Sequence, residues 1–244
     1  MIRGGLKIGG KSNDSQIKVS IGLKNQLPTS IRFCEKQEEA SEDIALVKAI
    51  NEAKVEKEDV LLFDRGISSA KTFEAFNNRE YKFITRLKVE RKYKVLKKLD
   101  VGKSGSDGAK ILEDGIVNLY KMGSKRPINT KLRLIKIFNK EGNEIWFISN
   151  LFDIAASEIA AMYSKRWDIE VFFKFIKQNL GYKHFISHSM NGMKVYIYMV
   201  LITALMFLAY KIKSNLEGFK IPLFQFTIAL EKSSYQDHYY FIWR

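Results

Sequence analysis

The chain has 244 residues, 46% of them hydrophobic and 17 of them Phe, enough apolar material for one sizeable core, or for a core with a small inserted domain. It carries 41 Lys and Arg against 27 Asp and Glu, a formal charge of +14, which points to a polyanionic partner, nucleic acid ahead of an anionic membrane. The single cysteine, Cys34, excludes an intramolecular disulfide and a cysteine-based zinc site, and suits a reducing cytoplasm.

Met1 to Gly10 lacks the apolar run of a signal peptide. Residues 1–16 are glycine-rich and polar, without periodicity. Gln16 to Leu23 alternates, with Ile17, Val19 and Ile21 on one side, and predicts a half-buried strand. Leu27-Pro28 predicts a turn, and Ser30 to Cys34 a returning strand, which together make a hairpin. Ser41 reads as a helix cap, with Ile44, Leu46, Val47 and Ile50 at helical spacing behind it.

Val60-Leu61-Leu62-Phe63 is a short apolar run, the pattern of a central strand covered on both faces. It ends in Asp64-Arg65-Gly66, so Asp64 stands where open α/β sheets place ligand and catalytic groups. An aspartate before glycine is also common in plain turns. A helix over Ser69 to Asn77 and a strand over Tyr81 to Leu87 follow.

Residues 88–140 hold 12 Lys and 3 Arg against 5 acids, so most of the excess charge sits there. Gly102 to Gly108 reads as a loop; Ile116 to Tyr120, Lys131 to Phe138 and Glu144 to Ser149 read as strands. This predicts a basic, mostly β insertion that presents lysines to phosphate, a contact that positions DNA without reading its sequence and weakens steeply with salt. Lysines on an edge strand also oppose aggregation, so not every one need touch nucleic acid.

Ile154 to Leu180 predicts one helix, stopped by Gly181. His184 and His188 are four apart, a weak metal signal without other ligands. Asn191 to Ser214 predicts a long apolar helix. Its uncharged stretch Val195 to Tyr210 has 16 residues. At ~24 Å that is short of a hydrocarbon core of ~30 Å, so a buried helix is expected rather than a membrane span. The tail from Gly218 to Arg244 is aromatic and carries no clear signal.

Within the 154–180 helix, a turn of about 100° per residue gathers Tyr163, Arg166, Glu170 and Lys177 on one side. Arg166 and Glu170 also form an i,i+4 pair, which is common on exposed helices. The pattern Tyr-x2-Arg-x3-Glu-x6-Lys, with Asp64-Arg65-Gly66 upstream, resembles the signature of the IS4-type DDE transposases. The resemblance covers about residues 10 to 210. It implies an α/β fold with an RNase H-like mixed sheet flanked by helices and a mostly β insertion. The implied division is a first part of the core over 1–87, the basic insertion over 88–150, and the second part of the core over 151–244. It implies Asp64 and Glu170 as catalytic and metal-binding acids, with Tyr163, Arg166 and Lys177 on DNA phosphate.

Phosphodiester cleavage and strand transfer suit a pair of Mg2+ ions, with Mn2+ as substitute, held by carboxylates. The implied partners are double-stranded DNA, as transposon ends and target, and a second copy in a homodimeric DNA complex; no membrane is implied. One departure stands out. The resemblance places a first catalytic aspartate on the strand before Gln16–Leu23, and residues 1–16 show no such strand. Asp14, the one acid before Glu35, lies in a Ser-Asn-Asp-Ser loop. The expectation is therefore a truncated or decayed transposase, or one half of a split reading frame. A non-catalytic DNA-binding remnant and an RNase H-like nuclease are the alternatives.

Overall fold

The computed structural model describes residues 2–8, 17–34, 42–101, 110–121, 123–181 and 189–242, with side chains over 19–34 and from 44 to 232 within those stretches. His184, His188, Asp14 and Ser41 lie outside the described residues. The chain divides into two compact units, Met1–Val171 and Phe172–Arg244.

The first unit is built on a nine-stranded mixed sheet: β1 (Ile2–Ile8), β2 (Ile17–Lys24), β3 (Leu27–Cys34), β4 (Val60–Phe63), β5 (Lys82–Leu87), β6 (Tyr93–Lys98), β7 (Lys110–Leu119), β8 (Leu132–Phe138) and β9 (Glu144–Ser149). Their spatial order is β3-β2-β1-β4-β5-β9-β8-β7-β6. β1, β4 and β5 run parallel at the centre, and the remaining pairs are antiparallel.

Two expectations about the start of the chain need correcting. A strand does precede Gln16–Leu23: β1 pairs along its whole length with β2, from Ile2 opposite Leu23 to Ile8 opposite Ile17. Its sequence, Ile-Arg-Gly-Gly-Leu-Lys-Ile, contains no acid. Its two glycines broke the alternation that marks a strand, and neighbours on both sides supply the ladder instead. The hairpin turn lies at Asn25-Gln26 rather than at Leu27-Pro28. Both residues have positive φ (53° and 65°), the requirement of a tight two-residue turn. Pro28 sits inside β3, tolerated because β3 is an edge strand.

One face of the sheet is covered by α1 (Glu42–Glu52) and α2 (Ala70–Asn78). Leu46 and Ile50 of α1 and Phe73 and Phe76 of α2 join Leu61, Phe63, Phe83 and Leu87 in a single apolar cluster. Phe73 stacks on Phe83 at 5.3 Å and Phe63 meets Phe76 edge-on at 5.9 Å, offset arrangements that add to the area buried. Alternation along the strands sends Leu62, Ile84, Arg86, Phe147, Arg133 and Asp114 to the opposite face. There α3 (Ala156–Ser164) packs against β5 and β7.

The basic segment extends the same sheet through β6 to β9, and includes a strand, β6, that the sequence pattern did not show. Two of its cations serve the fold. Arg133 is buried against Asp114, and Lys136 sits 4.3 Å from the Trp146 ring centre, bonded to Glu113 and to the Tyr93 hydroxyl. Lys94, Lys97 and Lys98 on the β6 edge are exposed.

The expected single helix over 154–180 is two, α3 and α4 (Trp167–Asn179), separated by a turn at Lys165-Arg166. Neither proline nor glycine breaks it. The backbone tightens instead: the N–H groups of Lys165, Arg166, Asp168 and Ile169 donate to carbonyls three residues back. The division between units falls within α4.

In the second unit α5 (Met190–Lys213) stacks Phe207 on Phe175, and α6 (Lys220–Ile242) supplies Phe226 to the same group. The expected buried helix is buried on one side only. Met193, Ile197, Ala204 and Phe207 are covered, whereas Val195, Met199, Ile202 and Met206 are exposed. The whole helix is longer than its uncharged centre, and by length and composition it suffices to cross a membrane. The aromatic tail proves helical, its Pro222 falling in the first turn of α6, where a missing N–H costs nothing.

Candidate active site

The site face of the first unit is assembled from three sources. β4 ends at Phe63 and delivers Asp64, exposed, beside the end of β5. The Thr85 hydroxyl donates to the Asp64 carbonyl at 3.3 Å, tying the two strand ends together. Asp64 turns its Oδ1 back to accept from the Arg65 N–H at 2.8 Å. β5 contributes Arg86, half-buried and paired in register with Phe147 of β9.

The third source is the break between α3 and α4. Tyr163, only 7% exposed, lays its ring on Phe147 at 4.9 Å. The Arg166 guanidinium lies over the Tyr163 ring at 5.7 Å and donates through Nη1 to Glu170 Oε1 at 2.6 Å. What fixes this arrangement is a buried ion pair. Arg133 donates to both Asp114 oxygens, at 2.9 and 2.6 Å, and through Nη1 to the carbonyls of Leu151, Phe152 and Ile154. Those carbonyls belong to the segment leading into α3, so one guanidinium pins the helix start to the sheet.

Electrostatics show which groups share a space. Burial pushes the Tyr163 hydroxyl far above its usual range; Asp64 adds to the rise, and Arg166 and Arg86 oppose it. The phenol therefore remains a proton donor throughout the working pH range. Burial works against the charge of Arg166, but the bond from Glu170 and the charges of Tyr163, Glu170 and Asp64 outweigh it and raise its pKa. Arg166 is thus the link between the two acids, bonded to Glu170 and within electrostatic reach of Asp64.

Two buried donors in this cluster lack an acceptor: Arg166 Nε, and the Tyr163 hydroxyl, whose one polar neighbour is the Arg166 guanidinium, itself a donor. An unmet buried donor costs about 1–3 kcal/mol, so a site that keeps two of them is suited to an incoming acceptor. Oxyanions fit, because a guanidinium and a phenol can donate to different oxygens of one phosphate. Among the described residues no three His, Cys, Asp or Glu side chains gather as a metal set. Asp64 and Glu170 each keep one oxygen uncommitted by these bonds, the oxygen type that hard cations take.

Of the residues singled out from sequence, the structure draws Asp64, Tyr163, Arg166 and Glu170 into one neighbourhood of the first unit. Lys177 belongs to the second unit, exposed in the last turn of α4. Sequence reasoning missed Arg86. The available signal was a cation set inside the run Phe-Ile-Thr-Arg-Leu, on the strand that pairs with the one leading to Asp64.

Comparison with known proteins adds independent findings. Residues 9–206 match the family model described as Transposase DDE domain. The chain is 28% identical over 174 residues to y4zB of Sinorhizobium fredii, which carries a transposase name; the match spans 71% of this chain and 48% of that protein. It is 29% identical over 133 residues to a protein of Geobacillus stearothermophilus named as a transposase for insertion sequence element IS5377, spanning 54% of this chain and 34% of that one. The chain thus spans about half the length, or less, of these curated relatives. Among solved structures, a piggyBac transposase in a synaptic complex with hairpin DNA superposes with a TM-score of 0.55 at 8% identity, over 97% of this chain and 53% of that one. At that identity the likeness speaks for the fold, which is the RNase H-like one.

Proposed function

Since this chain belongs to the family of transposase DDE domains, we propose that it is the catalytic domain of an insertion-element transposase, acting on phosphodiester bonds of double-stranded DNA. The observation that carries this reading is the pair of unpartnered buried donors, Tyr163 Oη and Arg166 Nε, beside Asp64, Arg86 and Glu170. Arg166 and Arg86 hold a backbone phosphate by charge. Tyr163 donates its hydroxyl to a phosphate oxygen and keeps its proton because it is buried. Lys177, in the second unit, is a further cation suited to DNA phosphate. Exposed lysines of the β6 edge and of the loops beside it hold the flanking duplex.

Asp64 and Glu170 are the residues that would hold Mg2+ or Mn2+. A bound ion there supplies Lewis-acid polarisation of phosphoryl oxygen and acidifies its water. The Arg166–Glu170 bond sets the direction of that carboxylate, so the same guanidinium places both the acid and the phosphate. This reading puts the protein in the cytoplasm with its DNA, as a homodimer bridging transposon ends and target. Domain boundaries at 87/88 and 150/151 belong to the same proposal, with the basic strands as a DNA-facing extension of the core.

The binding half is tested by fluorescence anisotropy with duplex DNA in EDTA. Arg86→Gln and Arg166→Gln should each weaken binding about tenfold, the loss of one charge-assisted bond of roughly 1.5 kcal/mol. If neither substitution changes affinity, the site does not hold phosphate. The chemical half is tested by strand transfer with Mg2+ and transposon ends. Little product is expected from these 244 residues alone, and DNA cut without joining would favour a nuclease instead.

A further inference from the structure

The bare side of α5 has an order to it. Val195, Met199, Ile202 and Met206 follow one another at steps of four, three and four residues, the 3.5-residue spacing of a seam between paired helices. Tyr198, Leu205 and Ile212 recur every seven residues beside them. All of these side chains are 40–60% exposed. The opposite side of the helix, with Ile197, Ala204 and Phe207, is covered within the second unit.

Charge restricts what can cover this face. No residue between Lys194 and Lys211 is charged, so nothing along it would hold DNA phosphate. Two apolar covers remain, hydrocarbon and protein. Hydrocarbon conflicts with the helices behind α5. There α4 carries exposed Lys174 and Lys177 on either side of Phe175, which stacks on Phe207, and α6 carries exposed Lys220, Glu231 and Lys232. Each lysine taken to the centre of a bilayer would cost about 2.5–3.5 kcal/mol.

Area and symmetry favour a second copy. The seven half-exposed side chains leave on the order of 600 Å2 of apolar surface open, the upper end for a monomer's largest patch and close to the ~800 Å2 that each partner of a stable pair covers. The stripe is uncharged from end to end, and Ile202 lies near its middle. It therefore matches itself under a two-fold axis, the commonest closed assembly.

We propose that α5 is the seam between two copies of this chain, packed helix against helix about a two-fold axis near Ile202. The proposal deepens the homodimer reading above by giving it a surface. The phosphate-binding residues belong to the first unit and the seam to the second, so the two readings can fail separately.

Sedimentation velocity of the full 244-residue chain, without DNA and at high salt, reads the number of copies. A pair of 28.3-kDa chains is expected at a roughly micromolar concentration. Met199→Glu combined with Ile202→Glu should weaken the pair about a hundredfold or more, because two charges would be buried in the seam. Both positions are exposed in the single chain, so circular dichroism should show the fold retained. Met199→Leu should leave the pair intact, as should Leu96→Glu, an exposed apolar position of the first unit. Cys34 is buried, so a cysteine placed by Ile202→Cys is the accessible thiol, and it should cross-link to its own copy. Lys174→Cys, on the helix behind α5, should not.

A monomer across the concentration range would overturn the proposal, as would a dimer indifferent to Met199→Glu with Ile202→Glu. Mass that climbs past the dimer would overturn it, because a two-fold seam closes on itself. Flotation of the chain with neutral phosphatidylcholine vesicles would do the same and give the face to lipid. Duplex-DNA binding in EDTA is measured on the same proteins. A dimer that binds no DNA counts against the proposed function and leaves the seam standing; a monomer that binds DNA does the reverse.

Discussion

Two guanidinium–carboxylate pairs stand on the same face of the first unit, and they are built differently. Arg133–Asp114 is closed: the two side chains are 6% and 1% exposed, both carboxylate oxygens are met, and the remaining donors go to backbone carbonyls. Arg166–Glu170 is open. Its side chains are 15% and 39% exposed, a single bond joins them, and Arg166 Nε is left buried without an acceptor. A pair that serves the fold satisfies every donor because an orphan charge in the interior is costly. A pair that keeps a donor unmet carries a cost that an incoming acceptor would relieve.

The largest expected effect lies in the closed pair. Arg133→Met leaves Asp114 buried and alone and releases the segment before α3; urea unfolding should show a loss of about 3–5 kcal/mol. Replacing both partners, Arg133→Met with Asp114→Leu, should recover most of it, since no charge is then stranded. A loss no greater than that from Arg166→Met would erase the distinction between the pairs.

Tyr163→Phe sharpens the contrast from the other side. It deletes an unmet buried hydroxyl, so stability should rise by about 1 kcal/mol while duplex-DNA affinity falls several-fold. A stability loss would show that the hydroxyl is satisfied within the fold.

Glu170→Gln should alter stability by only about 0.5 kcal/mol, as expected for a partly exposed helix pair. In EDTA it should bind DNA at least as tightly as the unaltered chain, because one negative charge beside the phosphate is gone. Clearly weaker binding would make Glu170 a positioning residue for Arg166 rather than a group awaiting a cation.

The smallest effect on stability is expected at the β6 edge. Neutralising Lys94, Lys97 and Lys98 should leave unfolding unchanged and reduce the slope of log affinity against log salt by about 0.9 for each DNA phosphate that a lysine no longer neutralises. An unaltered slope would move the DNA-facing charge elsewhere.

Much of the fold was legible along the chain. β4, α2 and β5 announce themselves through an apolar run, an amphipathic helix and a second apolar run, and the structure places each within a residue or so of its expected bounds. β1 was not legible, because two adjacent glycines carry no side-chain pattern and the strand exists through its neighbours' ladders. The α3–α4 break escaped for a related reason: local spacing allows one helix, and the tightened turn is visible only in its backbone bonds. Arg86 was hidden because its register partner, Phe147, and the phenol it acts on electrostatically, Tyr163 of α3, are both distant in sequence.

The sequence by itself determined the chemistry at hand. Tyr163, Arg166, Glu170 and Lys177 keep their spacing, Asp64 ends an apolar run, and the charge is strongly positive. Those are local or additive properties, readable one residue at a time. Tertiary structure decided the rest: which arginine is closed off in a buried pair, which keeps a donor unmet, and that Arg86 acts on the same space as Asp64 and Tyr163. Those facts depend on strand register and on which face a side chain occupies, and register is settled only when distant strands pair and bury a common surface.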